Sequence, residues 1–180
     1  MHTERADISI TGVSKWGQAM DQRDDNLVDV EIKRFDVLSP QGRVLIGELN
    51  AELSAIYPEP GANHFRLDPD EVAEGRGAFV VVSLGGVPIG CGAVRKIDSR
   101  TGELKRMYIA KEHRSRGIGR ELVAALESHA RELGISRLVL ETGVRQHAAI
   151  ALYNWCGFVK VEPFGEYVTS PLSICMEKQL

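Results

Sequence analysis

Apolar and polar positions alternate along this chain with two periods, and the switches between them mark its elements. "VDVEIKRFDVL", from Val28, is β-branched and alternating and predicts a strand. Ser39 and Pro40 then supply an N-cap and a proline at the first helical position. Leu45, Leu49, Leu53 and Ile56 follow at helical spacing, and Pro58 stops that helix. "LDPDEVAEG" repeats the device, with Asp68 as cap, Pro69 after it and Glu71 three residues on, for a second short helix. "AFVVVSL" and "VPIGCGAVRKI" flank Gly85 and Gly86 as a hairpin, and "DSRTG" turns into a third strand, "ELKRMYIA". A helix opens near Gly117 and runs through Leu133, with Ile118, Leu122, Leu126 and Leu133 as its stripe and Gly134 closing it. "RLVLET" is a strand, "HAAIALYNWC" a helix ending at Gly157, and "FVKV" a strand. "LSICMEKQL" is the last strand, alternating Leu172, Ile174 and Met176 against Ser173, Cys175 and Glu177.

The expected order is βααβββαβαββ, an α/β (α+β) domain over residues 29–180. Residues 1–28 are polar and aperiodic, with "DISI" a candidate edge strand. They form an N-terminal arm expected to pack on the domain or on a neighbouring subunit. No repeat or second domain is visible.

Composition narrows the class without naming a chemistry. The chain has 180 residues, 43% hydrophobic and 26% charged, with a net charge of −3. That is an ordinary composition for a globular domain with a proper core. The acidic balance argues against a nucleic-acid partner for the chain as a whole. No apolar run is long enough to span a bilayer, and the N-terminus lacks the apolar stretch of a secretory signal, so no membrane partner and a cytoplasmic address are expected. The 3 cysteines, Cys91, Cys156 and Cys175, are widely spaced and form no C-x-x-C, so buried inert thiols are expected and no metal site.

One local feature breaks the acidic average. "KEHRSRGIGREL", residues 111–122, crowds cations beside two glycines at the mouth of the third helix. A helix N-terminus offers unpaired N–H groups and a positive dipole end. Gly117 and Gly119 let a bulky anion reach the backbone, and Arg114, Arg116 and Arg120 bring donors suited to phosphate. The P-loop pattern is absent, and the dinucleotide fingerprint would need glycine where Leu122 stands.

"RSRGIG" fits [Q/R]-x-x-G-x-[G/A], and "QHAAIALYNWCGF" is similar to N-x-x-A-x-x-L-Y-x-x-x-G-F. With these two blocks at the expected separation, the chain resembles the GNAT superfamily of N-acetyltransferases over residues 29–180. The resemblance implies a mixed, mostly antiparallel central sheet of six to seven strands flanked by about four helices. It also implies acetyl-CoA as cofactor, with a primary amine, favoured as a small molecule, as acceptor. Pantetheine would lie between two splayed strands, along Met107, Tyr108 and Ile109. The amides of Arg114, Ser115, Arg116, Gly117, Ile118, Gly119 and Arg120 would take the diphosphate. Gln146 stands where the family has asparagine, one methylene further from the cofactor. A protein or peptide N-terminal acetyltransferase and a non-catalytic acyl-CoA-binding module are the alternative readings, and family habit allows a homodimer.

An alkyl amine with a pKa near ~10.4 is almost wholly protonated at neutral pH. The reaction therefore needs a route for the amine proton, a donor for the developing oxyanion and an acid for the leaving thiolate. The resemblance nominates Tyr153 as the acid, although Ala149, Leu152, Tyr153 and Cys156 also form a plain core stripe. Glu103, opening its strand, is the candidate base, with His113 and His147 as weaker alternatives. A thioacyl intermediate on Cys156 is conceivable, but nothing there would lower the thiol's pKa, so direct attack is favoured. Glu52, Tyr57, Phe65, Phe164 and Tyr167 fall on the elements that line the acceptor side in this architecture.

Overall fold

The structure is a computed structural model that describes residues 30–60 and 66–180. Seven strands form one sheet in the order β1-β2-β3-β4-β5-β7-β6. They are β1 (Val30–Arg34), β2 (Gly77–Leu84), β3 (Val87–Lys96), β4 (Thr101–Ile109), β5 (Arg137–Gly143), β6 (Val159–Val161) and β7 (Ser173–Gln179). The helices are α1 (Pro40–Ile56), α2 (Ile118–Glu132) and α3 (His147–Trp155). Every neighbouring pair of strands is antiparallel except β4 and β5. The N-terminal arm, with its candidate edge strand, lies outside the described residues.

The local signals act as expected. Ser39 Oγ accepts from the Gly42 amide at 3.2 Å and caps α1. Asp68 and Glu71 form the reciprocal capping box. What that box opens is a single 3₁₀ turn, Pro69–Val72, in place of the second α-helix. Ala73 is extended and Gly75 has φ 77°, so the chain leaves helical space after one turn.

Two apolar layers sandwich the sheet. On one face α2 sets Ile118, Leu122, Val123, Leu126 and Ala130 against Val80, Val94, Leu104, Leu138 and Met176. On the other, Leu45 of α1 packs with Phe79, Val81, Cys91 and Ala93. Both faces are therefore covered, and the expected alternation of β7 gives way to burial of neighbours, Cys175 and Met176 both at 1% exposure.

The decisive feature is where pairing stops. β4 and β5 run parallel, with Thr101, Gly102, Glu103 and Leu104 opposite Arg137, Leu138, Val139 and Leu140. Beyond those residues they have no register with each other, although β5 stays paired to β7 through Gly143. On the other side of β4 the β3 register shifts between Cys91 and Ala93. Arg106 sits in that irregularity at φ 55°. A bulge of this kind bends its strand and raises its twist, which turns the end of β4 away from β5.

Cys91 has no exposed surface, and burial pushes its thiol up from 9.0 to about 12. The folded state therefore favours the protonated thiol more than the unfolded chain does. That stabilisation is complete below about 9.0, the ordinary value for a cysteine thiol, and is lost as pH rises toward 12. Urea denaturation between pH 8 and 11 is expected to show stability falling more steeply in the wild type than in Cys91→Ala; equal slopes would contradict it.

Candidate active site

The gap between the ends of β4 and β5 opens into a cleft of about 690 Å³. Met107, Tyr108 and Ile109 form one wall, on the stretch of β4 that β5 no longer pairs. Gln146 and Tyr153 stand on the opposite side, at the start of α3 and one face of it.

The floor is the loop before α2. Ser115 has φ 62° and Gly117, the N-cap of α2, has φ 83°. Alternating left-handed residues point successive amides to one side as an anion-binding nest. No side chain caps this helix. Among the described residues, the amides of residues 115 to 119 have no backbone acceptor, whereas those of Arg120 and Glu121 return to the Gly117 carbonyl at 2.9 and 3.4 Å. Five donors at the positive end of α2 are thus left for a ligand. A Cβ on Gly117 would meet only the flexible end of Arg120, so the approach to the backbone is open. The expected cradle residues Arg114, Ser115, Gly117, Ile118, Gly119 and Arg120 all line the cleft. Arg116 is turned aside, with Nη1 3.5 Å from His113 Nδ1.

The arginine side chains do other work than expected. Arg114 donates to both carboxylate oxygens of Glu52, at 3.0 and 2.8 Å, and to the Ile109 carbonyl at 2.7 Å. Glu52, nominated for acceptor binding, therefore ties the cradle loop to α1. Arg120 lies over the indole of Trp155, 4.1 Å from its centroid. The cradle consists mainly of main-chain donors, with the guanidinium groups bracing it.

Gln146 turns its Oε1 back to the Gly143 amide at 2.8 Å and the Thr142 hydroxyl at 3.1 Å. Since a backbone N–H can only donate, that oxygen is fixed and the NH₂ is left for the cleft. Tyr57 is not a cleft residue. It is 4% exposed, its hydroxyl accepts from the Arg145 amide at 2.7 Å, and its ring lies against Gly143, where a Cβ would fall 2.0 Å from Oη. It holds the end of β5 instead of a substrate, which corrects the expectation from sequence.

Tyr153 is 5% exposed and its ring meets Phe158 edge-on at 5.9 Å. Its hydroxyl makes no hydrogen bond among the described residues, and the side chain lines the cleft. Burial, and then the nearby Glu141 and Cys156, push its pKa well above the usual phenol range, so it stays protonated at neutral pH.

Glu103 is elsewhere. It faces a second cavity of about 520 Å³, together with Thr101, Lys105, Phe164 and Tyr167. Leu104 and Leu138 belong to the α2 layer, so Glu103 and Val139 point to the opposite face of the sheet. Glu103 is 1% exposed and densely engaged. Its Oε2 takes Arg95 Nε at 2.8 Å and Nη2 at 2.6 Å. Its Oε1 accepts from Tyr167 Oη at 2.8 Å, with Lys105 Nζ at 3.8 Å. Tyr167 Oη in turn accepts from Lys105 Nζ at 3.2 Å, and Phe164 packs edge-on to the Tyr167 ring at 5.4 Å. Burial lowers the Lys105 pKa, against the opposing pull of Glu103. Phe164 and Tyr167 thus meet Glu103 as a group, whereas Phe65 lies outside the described residues. The two cavities take consecutive stretches of β4, residues 101–105 and residues 107–109.

Sequence reasoning missed Lys105, Arg95 and Arg106. Alternation along "ELKRM" puts Lys105 on the face of Glu103, so that pairing was legible. Arg106, whose Nη1 reaches Asn50 Oδ1 at 3.0 Å, sits on a bulge with no signature in the sequence.

Comparison with known proteins agrees with this geometry. The model of the acetyltransferase (GNAT) family matches residues 45–158. A protein of Azospirillum brasilense named IAA acetyltransferase is 42% identical over 154 residues, 84% of this chain and 99% of its own length. A Klebsiella pneumoniae structure assigned as an acyl-CoA N-acyltransferase is 34% identical, with a TM-score of 0.71 over 84% of this chain and 97% of that one. An Elizabethkingia anophelis acetyltransferase solved with acetyl-CoA bound shares the fold at 20% identity, with a TM-score of 0.60 over 84% of this chain and 98% of that one. The split sheet with a donor nest at its opening is the architecture of an acyltransferase. This chain belongs to the GNAT acetyltransferase family.

Glu103→Gln removes the charge between Arg95 and Lys105 while keeping the shape. Uncompensated partners at a buried pair are costly, and Arg95 keeps Glu71 as a second partner. The expected loss is about 2 kcal/mol or more in urea denaturation, and an unchanged midpoint would show that the network is not structural.

Proposed function

We propose that this protein is an acetyl-CoA-dependent N-acetyltransferase that moves the acetyl group to a primary amine of a small molecule. The observation that carries the reading is the juxtaposition of an unpaired strand edge with five unpaired amides at a helix N-terminus. The residues fit the cofactor: main-chain donors for a diphosphate, and a β4 edge free to pair with the amides of a pantetheine arm. Acetyl-CoA supplies the activated thioester. The amides of residues 115–119 and the Gln146 NH₂ hold and aim it, and Met107, Tyr108 and Ile109 align it along β4.

The acceptor enters from the second cavity, on the opposite face of the sheet. At about 520 Å³ that cavity suits a small molecule, and its walls carry both signs of charge, Arg66 and Arg137 with Asp98 and Glu166, in place of an acidic groove for a basic peptide. Tyr167 Oη, already donating to Glu103 Oε1, passes a proton to that carboxylate as it takes one from the amine. Glu103 is thus the terminal base reached through Tyr167. Tyr153 Oη, kept protonated by burial, is the acid on the cleft side. The Cys156 thiol is raised by burial, so the protein offers no thiolate nucleophile there and transfer is direct.

Release of free thiol from acetyl-CoA across a panel of small amines tests the reading. IAA is assayed beside the panel, as a separate acceptor without a primary amine, because of the Azospirillum relative's name. The reading fails if acetyl-CoA binds but no amine turns over. Tyr153→Phe should lower kcat by roughly a hundredfold with little change in acetyl-CoA affinity, within the range for a positioned acid; full kcat would remove the role. Gly117→Asp and Gly117→Asn are similar in shape and both tolerate left-handed backbone. Calorimetry should find CoA affinity at least tenfold weaker in Asp than in Asn, since only Asp brings a negative charge to the cradle; equal affinities would contradict the placement.

A further inference from the structure

The second cavity holds more than a place for an amine. Four carboxylates line it, and each is already engaged. Glu71 pairs with Arg95 and accepts from the Asp68 amide at 3.0 Å. Asp98 accepts from the Arg100 and Thr101 amides, both at 2.8 Å, and Arg137 is a weaker influence on it. Glu103 is shared by Arg95, Tyr167 and Lys105, and Glu166 stands 3.6 Å from the Lys105 ammonium.

The cations are not matched in the same way. Arg66, Arg95, Lys105 and Arg137 line the cavity, and the carboxylates just named occupy Arg95 and Lys105. Arg137 sets both Nε and Nη2 on one oxygen, Glu177 Oε2, at 2.8 and 2.5 Å. Its Nη1 makes no hydrogen bond among the described residues, and its side chain is 43% exposed. Arg66 makes no ion pair among the described residues. A guanidinium carries five donors in a fork that matches a carboxylate. The rim of the cavity therefore keeps cationic donors to spare, while every carboxylate in it has a partner.

Strand register relates these donors to the proton-handling end. Glu103 stands opposite Val139, and Val139 opposite Glu177. Arg137, two residues before Val139, leans along β5 to reach Glu177, which brings its guanidinium toward the level of Glu103. Strands lie about 4.8 Å apart, so the backbones at Glu103 and Glu177 are separated by about 10 Å, with β5 between them. The reach of the Tyr167 and Arg137 side chains shortens that span to one that a short amino acid bridges.

Resting on the acetyltransferase reading, we propose that the acceptor is an amine that also carries a carboxylate, an amino acid in the broad sense, and that Arg137 selects it. The amine meets Tyr167 Oη. The carboxylate turns to the rim, where Arg137 receives it through Nη1 and Arg66 adds a second positive charge. A charge-assisted hydrogen bond of this kind is stronger than a neutral one. Arg137 binds and orients the acceptor and takes no part in the proton transfer.

Steady-state kinetics with acetyl-CoA and matched acceptors tests the proposal. Each amino acid is paired with its carboxamide, which keeps the size and removes the charge. Loss of the carboxylate lowers the pKa of the amine, so proton availability alone favours the carboxamide. The amino acid is nevertheless expected to have a kcat/KM about tenfold higher, carried by KM. Arg137→Gln should bring the ratio close to one, and Arg137→Lys should keep part of it. A carboxamide used as well as its amino acid would overturn the proposal while leaving the acetyltransferase reading intact. A ratio unchanged in Arg137→Gln would also overturn it, since a merely structural loss lowers both acceptors alike. O-phosphoethanolamine used better than every amino acid would replace the carboxylate with a phosphate and overturn it too. The wild-type comparison needs no variant, so it decides the acceptor class even if Arg137→Gln does not fold. A wild type that acetylates no amine would remove the acetyltransferase reading, and this inference with it.

Discussion

The separation of β4 from β5 is the constraint on which the rest of this molecule depends. Two parallel strands in the middle of a sheet would ordinarily stay paired, because unpaired backbone groups there lose their partners. Here pairing lasts four residues and stops. The divergence is held by contacts from a single helix. Asn50 of α1 takes the guanidinium of the bulged Arg106, Glu52 clamps Arg114, and Tyr57, just past the helix end, packs on Gly143 and caps the Arg145 amide. α1 therefore touches β4, the cradle loop and the end of β5. It fixes the width of the opening from one side, while α2 packs the sheet beneath.

That arrangement explains why so much positive charge gathers on a chain with net charge −3. A nest of amides binds anions only while the loop holds its left-handed turns at Ser115 and Gly117, and the first of these is costly for a residue with a Cβ. Arg114 secures one end of the loop to α1, and Arg120 secures the other to α3. The cations shape the loop and add a positive field around it, while the backbone supplies the open donors.

The fold was largely legible, because each element announced itself by period and by end signals. Ser39 with Pro40, Asp68 with Glu71, and the glycines after α2 and α3 all mark real boundaries. The open mouth of α2 was legible too, since glycines at a helix mouth have a direct physical meaning. The partners of long side chains were not. Nothing in a one-dimensional pattern tells Glu52 to meet Arg114, 62 residues away, or sends Tyr57 to pack on Gly143. The bulge at Arg106 was equally hidden, because any residue type can occupy such a position when its neighbours determine it. Assignments that rested on backbone conformation survived better than those that rested on where a side chain would point.

Glu103 and Tyr153 illustrate the same division at the level of chemistry. Sequence placed both at one site, and the fold puts them on opposite faces of the sheet, in two cavities that meet along β4. For proton management this separation has a consequence. On the proposed reading, a strand therefore stands between the base and the acid, and each meets the reacting centre from its own side. The two surroundings differ. Arg95 and Lys105 surround Glu103 with positive charge, and an apolar wall around Tyr153 disfavours its anion. On that reading the gap between β4 and β5 is where the two cavities would share a reacting centre, so the divergence that would admit the pantetheine arm would also set where Glu103 and Tyr153 act.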